Sequence, residues 1–533
     1  MLLIKNITIY DGTGAEGYKA DILVDGDRIA EIIPSPPAGD GRVGAAAPGA
    51  RVIDGSGLAA CPGFIDIHAH SEYSLLAEPA APSKVMQGVT TEVSGNCGMS
   101  AAPLIGEAAK ARQSELAELG VERTWDNFGG YFEALEKARP ALNFATCCGH
   151  GNLRASVLGY ADRGPSEDEF RRMEALLGEA MEAGALGLST GLIYPPGVYS
   201  DTEELVRLAK TAGRMGGLYT SHMRSEGARV IEAIEEAITI GREAGIPVQI
   251  SHLKTAGPSN WPKLPAIIET IERARAGGVD VTADRYPYTA SSTDLDAILP
   301  SWAYEGGAAR ELERLKDKET RALLVKEVLE NHPVPEYWGR VMIASVVTEG
   351  NRALEGKTLA EAAKARGQEA VDALMDILVE ESVRAQAIYF SMSEENLIKL
   401  LKQPWLMAGS DSTARAISGV TRQGKPHPRG FGSFPRLLGR YVRETGALTL
   451  PQAVRKTSGM AADRLGLARR GYLRPGYFAD ILVFDPATIA DTAAYEDPYR
   501  FPSGIKCVIV NGEIAVEDGV QTAARAGRVL KRA

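Results

Sequence analysis

The chain has 533 residues and a formal net charge of -10, with 44% hydrophobic and 24% charged residues. This is ordinary globular usage, with length enough for a large enzyme domain and a smaller one. The acidic balance excludes general affinity for nucleic acid, and no uninterrupted run of about 18 apolar residues is present to cross a membrane. The opening MLLIKNITIYDG is too short an apolar stretch for a signal peptide, and Lys5 lies inside it. Five cysteines, an odd number, do not make a disulfide framework, so a cytoplasmic location is expected.

Residues 1–60 read as short strands and turns, and GYFADILVFD (476–485) and IKCVIVNGEIAVEDG (505–519) read the same way. Neither end is large enough to fold alone, so the two are expected to pair into one small β domain. The Ala/Gly/Pro stretch at 34–50 reads as a loop.

Between the ends, strands alternate with helices. The strand candidates are GFIDIHAH (63–70), TTEVSGNCG (90–98), NFATCCGHG (143–151), ALGLSTGLIY (185–194), GLYTSHM (217–223), PVQISHL (247–253), VDVTADRYPY (279–288) and PWLMAGSD (404–411). A capping box at Ser200-Asp201-Thr202-Glu203 predicts a helix stopping near Gly216, and Ile231, Ile234 and Ile238 predict another ending at Gly245. Eight such strands predict an α/β fold, a (β/α)8 TIM-type barrel over 61–470. A small β-sandwich-like domain from 1–60 and 471–533 completes the expected architecture. The gap at 290–403 is too long for one helix, contains a strand-like VMIASV (341–346), and predicts an insertion over the barrel mouth.

Chemistry gathers at the predicted strand ends. His68 and His70 are two residues apart, about 7 Å along a strand and on one face. An isolated HxH is as readily a pair of hydrogen-bonded core histidines. Here His222 and His252 end consecutive strands, Cys97 ends the second strand, and Asp411 ends the last, beside the first. Imidazole, thiolate and carboxylate are the usual ligands of zinc, and this many on one rim do not read as packing. Cys147 and Cys148 read instead as small buried residues. Arg224 and Glu226 read as a rim ion pair, and His150 as a structural hydrogen-bonding residue. Asp66 and Asp284 are expected to orient their neighbours, and His427 and Arg429 either to anchor a loop or to meet substrate.

The motifs PGFIDIHAHSE, GVTTEVSGNCGMSAAP, GALGLSTGLIYPPG, SHMRSEG, SHLKTAG, YPYTASST, HPRGFGSFPR and GYLRPGYFADILVFDP resemble the D-aminoacylase (N-acyl-D-amino-acid deacylase) family of amidohydrolases along essentially the whole chain. Hydantoinase-like and dihydroorotase-like members of the wider superfamily bridge two metals with a strand-four lysine, and ALGLSTGLIY has none. The resemblance implies one tight zinc site of Cys97, His222 and His252, with His68, His70 and Asp411 forming a second, weaker one. It implies hydrolysis of an N-acyl-D-amino acid by metal-activated water, with Asp411 as general base. It also implies that Lys254, Tyr194 and Tyr286 bind the carboxylate side of this small-molecule substrate. The alternatives are an amidohydrolase of D-dipeptides or cyclic amides, and a non-catalytic scaffold of the same fold.

Overall fold

In the computed structural model, which describes residues 1–34 and 49–532, eight short buried strands form the barrel. They are β1 (Phe64–Asp66), β2 (Val89–Ser94), β3 (Asn143–Thr146, continued by Cys148–Gly149), β4 (Gly187–Gly191), β5 (Leu218–His222), β6 (Val248–Ile250), β7 (Val281–Arg285) and β8 (Leu406–Ala408). All pair in parallel, as two runs, β1–β2–β3 and Cys148–Gly149 onward to β8. The two runs are joined where Cys147 N–H donates to the Ser94 carbonyl at 3.0 Å. The ring closes past the ends of β1 and β8 through a parallel bridge of Ala69 with Ser412. There Asp411 N–H donates to the His68 carbonyl at 2.8 Å and His70 N–H to that of Ser412 at 3.2 Å.

These strands are buried throughout because both faces are covered, as in a parallel sheet under helices. Ile65, Ile67, Val93, Ala145, Leu186, Leu218 and Met407 fill the barrel interior, and the larger core lies between strands and outer helices. The helix after β4 starts one residue later than its sequence pattern suggests. Asp201, not Ser200, is the cap, accepting from Glu204 N–H at 2.8 Å, and the helix spans Thr202–Arg214. The next helix, Val230–Ala244, ends at Gly245 in a left-handed cap, as expected.

The chain ends build one nine-stranded sheet, joined where Ala59–Pro62 runs antiparallel to Ile481–Phe484. Ile4, Ile22, Val24, Ile481, Val483 and Ile509 from both chain ends share one core. Most of the predicted loop 34–50 lies outside the described residues. Between β7 and β8 the chain forms a three-stranded antiparallel sheet of Ser291–Asp294, Gln386–Tyr389 and Val341–Ser345. Helices close over it, and its own core includes Leu295, Leu315, Leu324, Ile343 and Leu374. This insertion reaches the barrel mouth, where the Thr293 hydroxyl lies 3.0 Å from the Tyr194 hydroxyl.

Candidate metal centre

The six predicted ligands converge past the carboxyl ends of the strands, in two sets. Ligand atoms of Cys97, His222 and His252 lie within 4.8 Å of one another, and so do those of His68, His70, Cys97 and Asp411. The sulfur of Cys97 therefore belongs to both sets, which departs from the expected partition into one site with the thiol and one without it. Cys97 Sγ is 3.5 Å from His252 Nε2 and 3.3 Å from His68 Nε2. Tetrahedral zinc with bonds of about 2.3 Å to sulfur and 2.0 Å to nitrogen separates those ligands by about 3.5 Å. The donor set fits zinc.

The backbone at these positions is unusual. Cys97, His252 and Asp411 have φ of 54°, 34° and 51°, in the left-handed region that residues other than glycine seldom occupy. Neighbouring groups hold the turns at Cys97 and His252. Cys97 rests on β4 at Gly191, where an added Cβ would lie 2.1 Å from the Cys97 carbonyl oxygen. Asn96 Nδ2 anchors the same turn by donating to the Val93 carbonyl at 3.0 Å. His252 N–H donates to Asp284 Oδ1 at 2.8 Å.

Electrostatics favour the ligating forms of Cys97, His222 and Asp411. Burial opposes ionisation of Cys97, but the His68 and His252 imidazoles outweigh it and hold the thiol well below its usual range. Burial holds His222 below its ordinary value, and both of its ring nitrogens lack a hydrogen-bond partner among the described residues. A buried, neutral, unpartnered imidazole is what a metal requires. Burial would also raise the Asp411 carboxyl, yet Arg429 at 2.7 Å, His252 and His68 keep it well below the carboxylate range. His70 Nε2 is 3.1 Å and His68 Nε2 3.4 Å from Asp411 Oδ1.

A further ring of carboxylates orients the histidines. Asp284 Oδ1 is 3.1 Å from His68 Nδ1, and Gln249 Nε2 donates to its other oxygen at 3.0 Å. Glu226 Oε1 and Lys254 Nζ each lie 2.8 Å from His252 Nδ1 and pair with one another, so together they hold the ring with Nε2 facing Cys97.

A model of the amidohydrolase family matches residues 51–516. D-aminoacylase of Alcaligenes xylosoxydans xylosoxydans is 39% identical over 533 residues, 100% of this chain and 97% of its own. The chain belongs to the D-aminoacylase family of amidohydrolases. A solved D-aminoacylase, studied for the functional role of its binuclear metal centre, with one-metal activation and second-metal attenuation, matches at TM-score 0.81. It is 37% identical, over 100% of this chain and 99% of that one. N-acyl-D-glutamate deacylase from Bordetella bronchiseptica matches at TM-score 0.83 and 36% identity, over 99% of each chain. Its structure is a complex with zinc and a phosphonate inhibitor that mimics the tetrahedral intermediate of the reaction.

Within this family member, three side chains sit where the sequence alone does not place them. Arg224 does not pair with Glu226; it pairs with Glu236 at 3.1 Å. Glu226 instead turns inward, to His252 and to the ammonium of Lys254. Lys254, paired with Glu226, is accordingly 3% exposed. Arg429 reaches Asp411, while His427 anchors its loop by a ring nitrogen 2.9 Å from the Ala290 carbonyl oxygen. Tyr194 packs edge-on against His222 with ring centroids 4.9 Å apart, and Tyr286 is fully buried with no partner for its hydroxyl. Tyr288 points elsewhere, to Asp491. His150 meets Glu204 at 2.8 Å and takes no part in either set.

Proposed function

We propose that the chain is a zinc-dependent hydrolase that cleaves the amide bond of N-acyl-D-amino acids, giving a carboxylate and a free D-amino acid. The observation that carries this reading is the Cys97 thiolate at the junction of two histidine-rich ligand sets. The relatives supply the substrate class. Cys97, His222 and His252 would hold the principal zinc, and His68, His70 and Asp411, sharing Cys97, would frame a weaker second position. Zinc held there supplies Lewis acidity, polarising a carbonyl and acidifying water.

The protein supplies the rest. Asp411 stays ionised at neutral pH, so it accepts a proton from the attacking water and later passes it to the departing amine. Lys254, Tyr194 and Tyr286 bind the substrate carboxylate. Support comes from the unpartnered Tyr286 hydroxyl: burial raises its pKa, but Lys254, Arg285 and Arg429 outweigh this and lower it. Arg429, with its guanidinium 4.6 Å from the centre of the Tyr286 ring, adds a cation on the same side. In this reading residues 61–470 are the catalytic barrel, 290–403 its insertion, and 1–60 with 471–533 the small β domain. A cytoplasmic setting is part of it, supported by five free, buried cysteines.

The test is a hydrolysis screen of the zinc-loaded chain on acidic, aromatic and aliphatic N-acetyl-D-amino acids, with matched L forms and a cyclic amide. D substrates should turn over and the others should not. Asp411→Asn should retain zinc and lose about 10²–10⁴-fold in kcat. Equal hydrolysis of L substrates, or a zinc-free inactive chain, overturns the reading.

A further inference from the structure

Lys84 stands in the short helix Pro82–Val85, with its side chain completely buried. No motif points to it, and the mechanism above does not use it. Its ammonium has three donors, and all three have acceptors: Asp66 Oδ2 at 2.8 Å, Ser410 Oγ at 2.9 Å and the Ser412 carbonyl at 2.8 Å. Glu92 lies 3.5 Å away, its carboxyl pKa pushed up to about 7 by burial. Asp66 reinforces the grip, since Ser410 donates to it through its backbone N–H at 2.8 Å and its hydroxyl at 2.5 Å.

These acceptors are not spread over the fold. Two of the three flank Asp411 on either side, and the third fastens one of those flanks. Between them Asp411 holds its left-handed φ of 51° while its carboxylate faces His68, His70 and Arg429. Here the barrel closes by a single bridge, Ala69 with Ser412, so the strands provide no regular ladder to hold that conformation. A buried ammonium is costly to desolvate and persists only when its partners are all in place. We infer that Lys84, with Asp66, is a positioning residue for Asp411, clamping Ser410 and Ser412 so that the carboxylate is aimed at the reacting centre. This rests on the assignment of Asp411 as general base.

The test compares zinc-loaded wild type, Lys84→Met, Lys84→Arg, Ser410→Ala, Asp411→Asn and the Lys84→Met/Asp411→Asn double variant. Readouts are kcat, KM, zinc per chain and melting temperature. Misaiming the base should lower kcat about 10²-fold in Lys84→Met, with KM and the principal zinc retained. Lys84→Arg should recover part of the loss, and the double variant should be no slower than Asp411→Asn, because residues acting as one unit are not additive. Folded Lys84→Met with wild-type kcat, or a double variant slower than Asp411→Asn, overturns the inference. If Lys84→Met does not fold, Ser410→Ala decides: it keeps every charge, and should lower kcat at unchanged KM, whereas wild-type kcat refutes the clamp. Near-normal turnover by Asp411→Asn is a separate failure, that of the base assignment itself.

Discussion

The two halves of the metal centre are built by different means. His222 and His252 end or follow β5 and β6, neighbours whose parallel register runs Tyr219 to Val248, Thr220 to Gln249 and Ser221 to Ile250. Regular hydrogen bonding therefore places His222, while His252, two residues past β6, is held by Asp284, which accepts from its N–H at 2.8 Å. Both side chains are almost wholly enclosed, at 5% and 2% exposure. His68, His70 and Asp411 straddle the seam where β1 meets β8 with one bridge, and His70 is 21% exposed. The first half is rigid because the sheet is rigid. The second half depends on side chains that grip the backbone, Asp284 behind His68 and Lys84 with Asp66 around Asp411.

The largest effect should come from the residue that both halves share. Cys97→Ala removes a ligand from each set, so zinc content and turnover should collapse together, by more than the roughly 10–100-fold that loss of an outer partner costs. His70→Ala, confined to the seam, should leave the principal zinc in place. Metal analysis after gel filtration checks the order. A His70→Ala chain with less zinc than Cys97→Ala would place the principal site on the seam.

A smaller effect is expected at Glu226, which touches His252 and Lys254 and no ligand of the seam. Glu226→Gln removes the charge that orients His252 and should weaken zinc about 10–100-fold in competition with a chelator. At saturating zinc its kcat should approach the wild-type value. A kcat loss that zinc does not restore would give Glu226 a second role, beyond orienting His252.

The same contrast explains what the sequence discloses. The ladder half is legible because each strand is a short buried run with a histidine at or just past its end, in SHM or SHL, and the alternation with helices announces a barrel. The seam ligands His68, His70 and Asp411 are legible as HxH and SDS for the same reason. Their supports are not. Lys84 lies in the unremarkable run SKVMQG, and its partners are up to 328 residues away, at Ser412. Glu226 lies two residues from Arg224, which suggests a local pair, but Arg224 is taken by Glu236 and Glu226 is free to turn inward. The sharing of Cys97 between the sets depends on a left-handed turn fitted against Gly191, which no spacing rule encodes.

The smallest effect tests whether the rim is insulated from the outer shell of the barrel. Helix Glu167–Ala183 begins with a full capping box, in which Glu169 N–H donates to Ser166 Oγ at 3.3 Å and Ser166 N–H to Glu169 Oε2 at 2.8 Å. These groups are exposed and touch neither ligand set, so Ser166→Ala should cost about 1 kcal/mol of stability and no more. In a chain this long that is a shift in melting temperature of about 2 °C or less. Zinc content, kcat and KM should be unchanged, because β3 and β4 hold their register through main-chain bonds that the cap does not share. A measurable loss of zinc in Ser166→Ala would mean that the helix layer strains the strand ends, and that the ladder half is less rigid than its register implies.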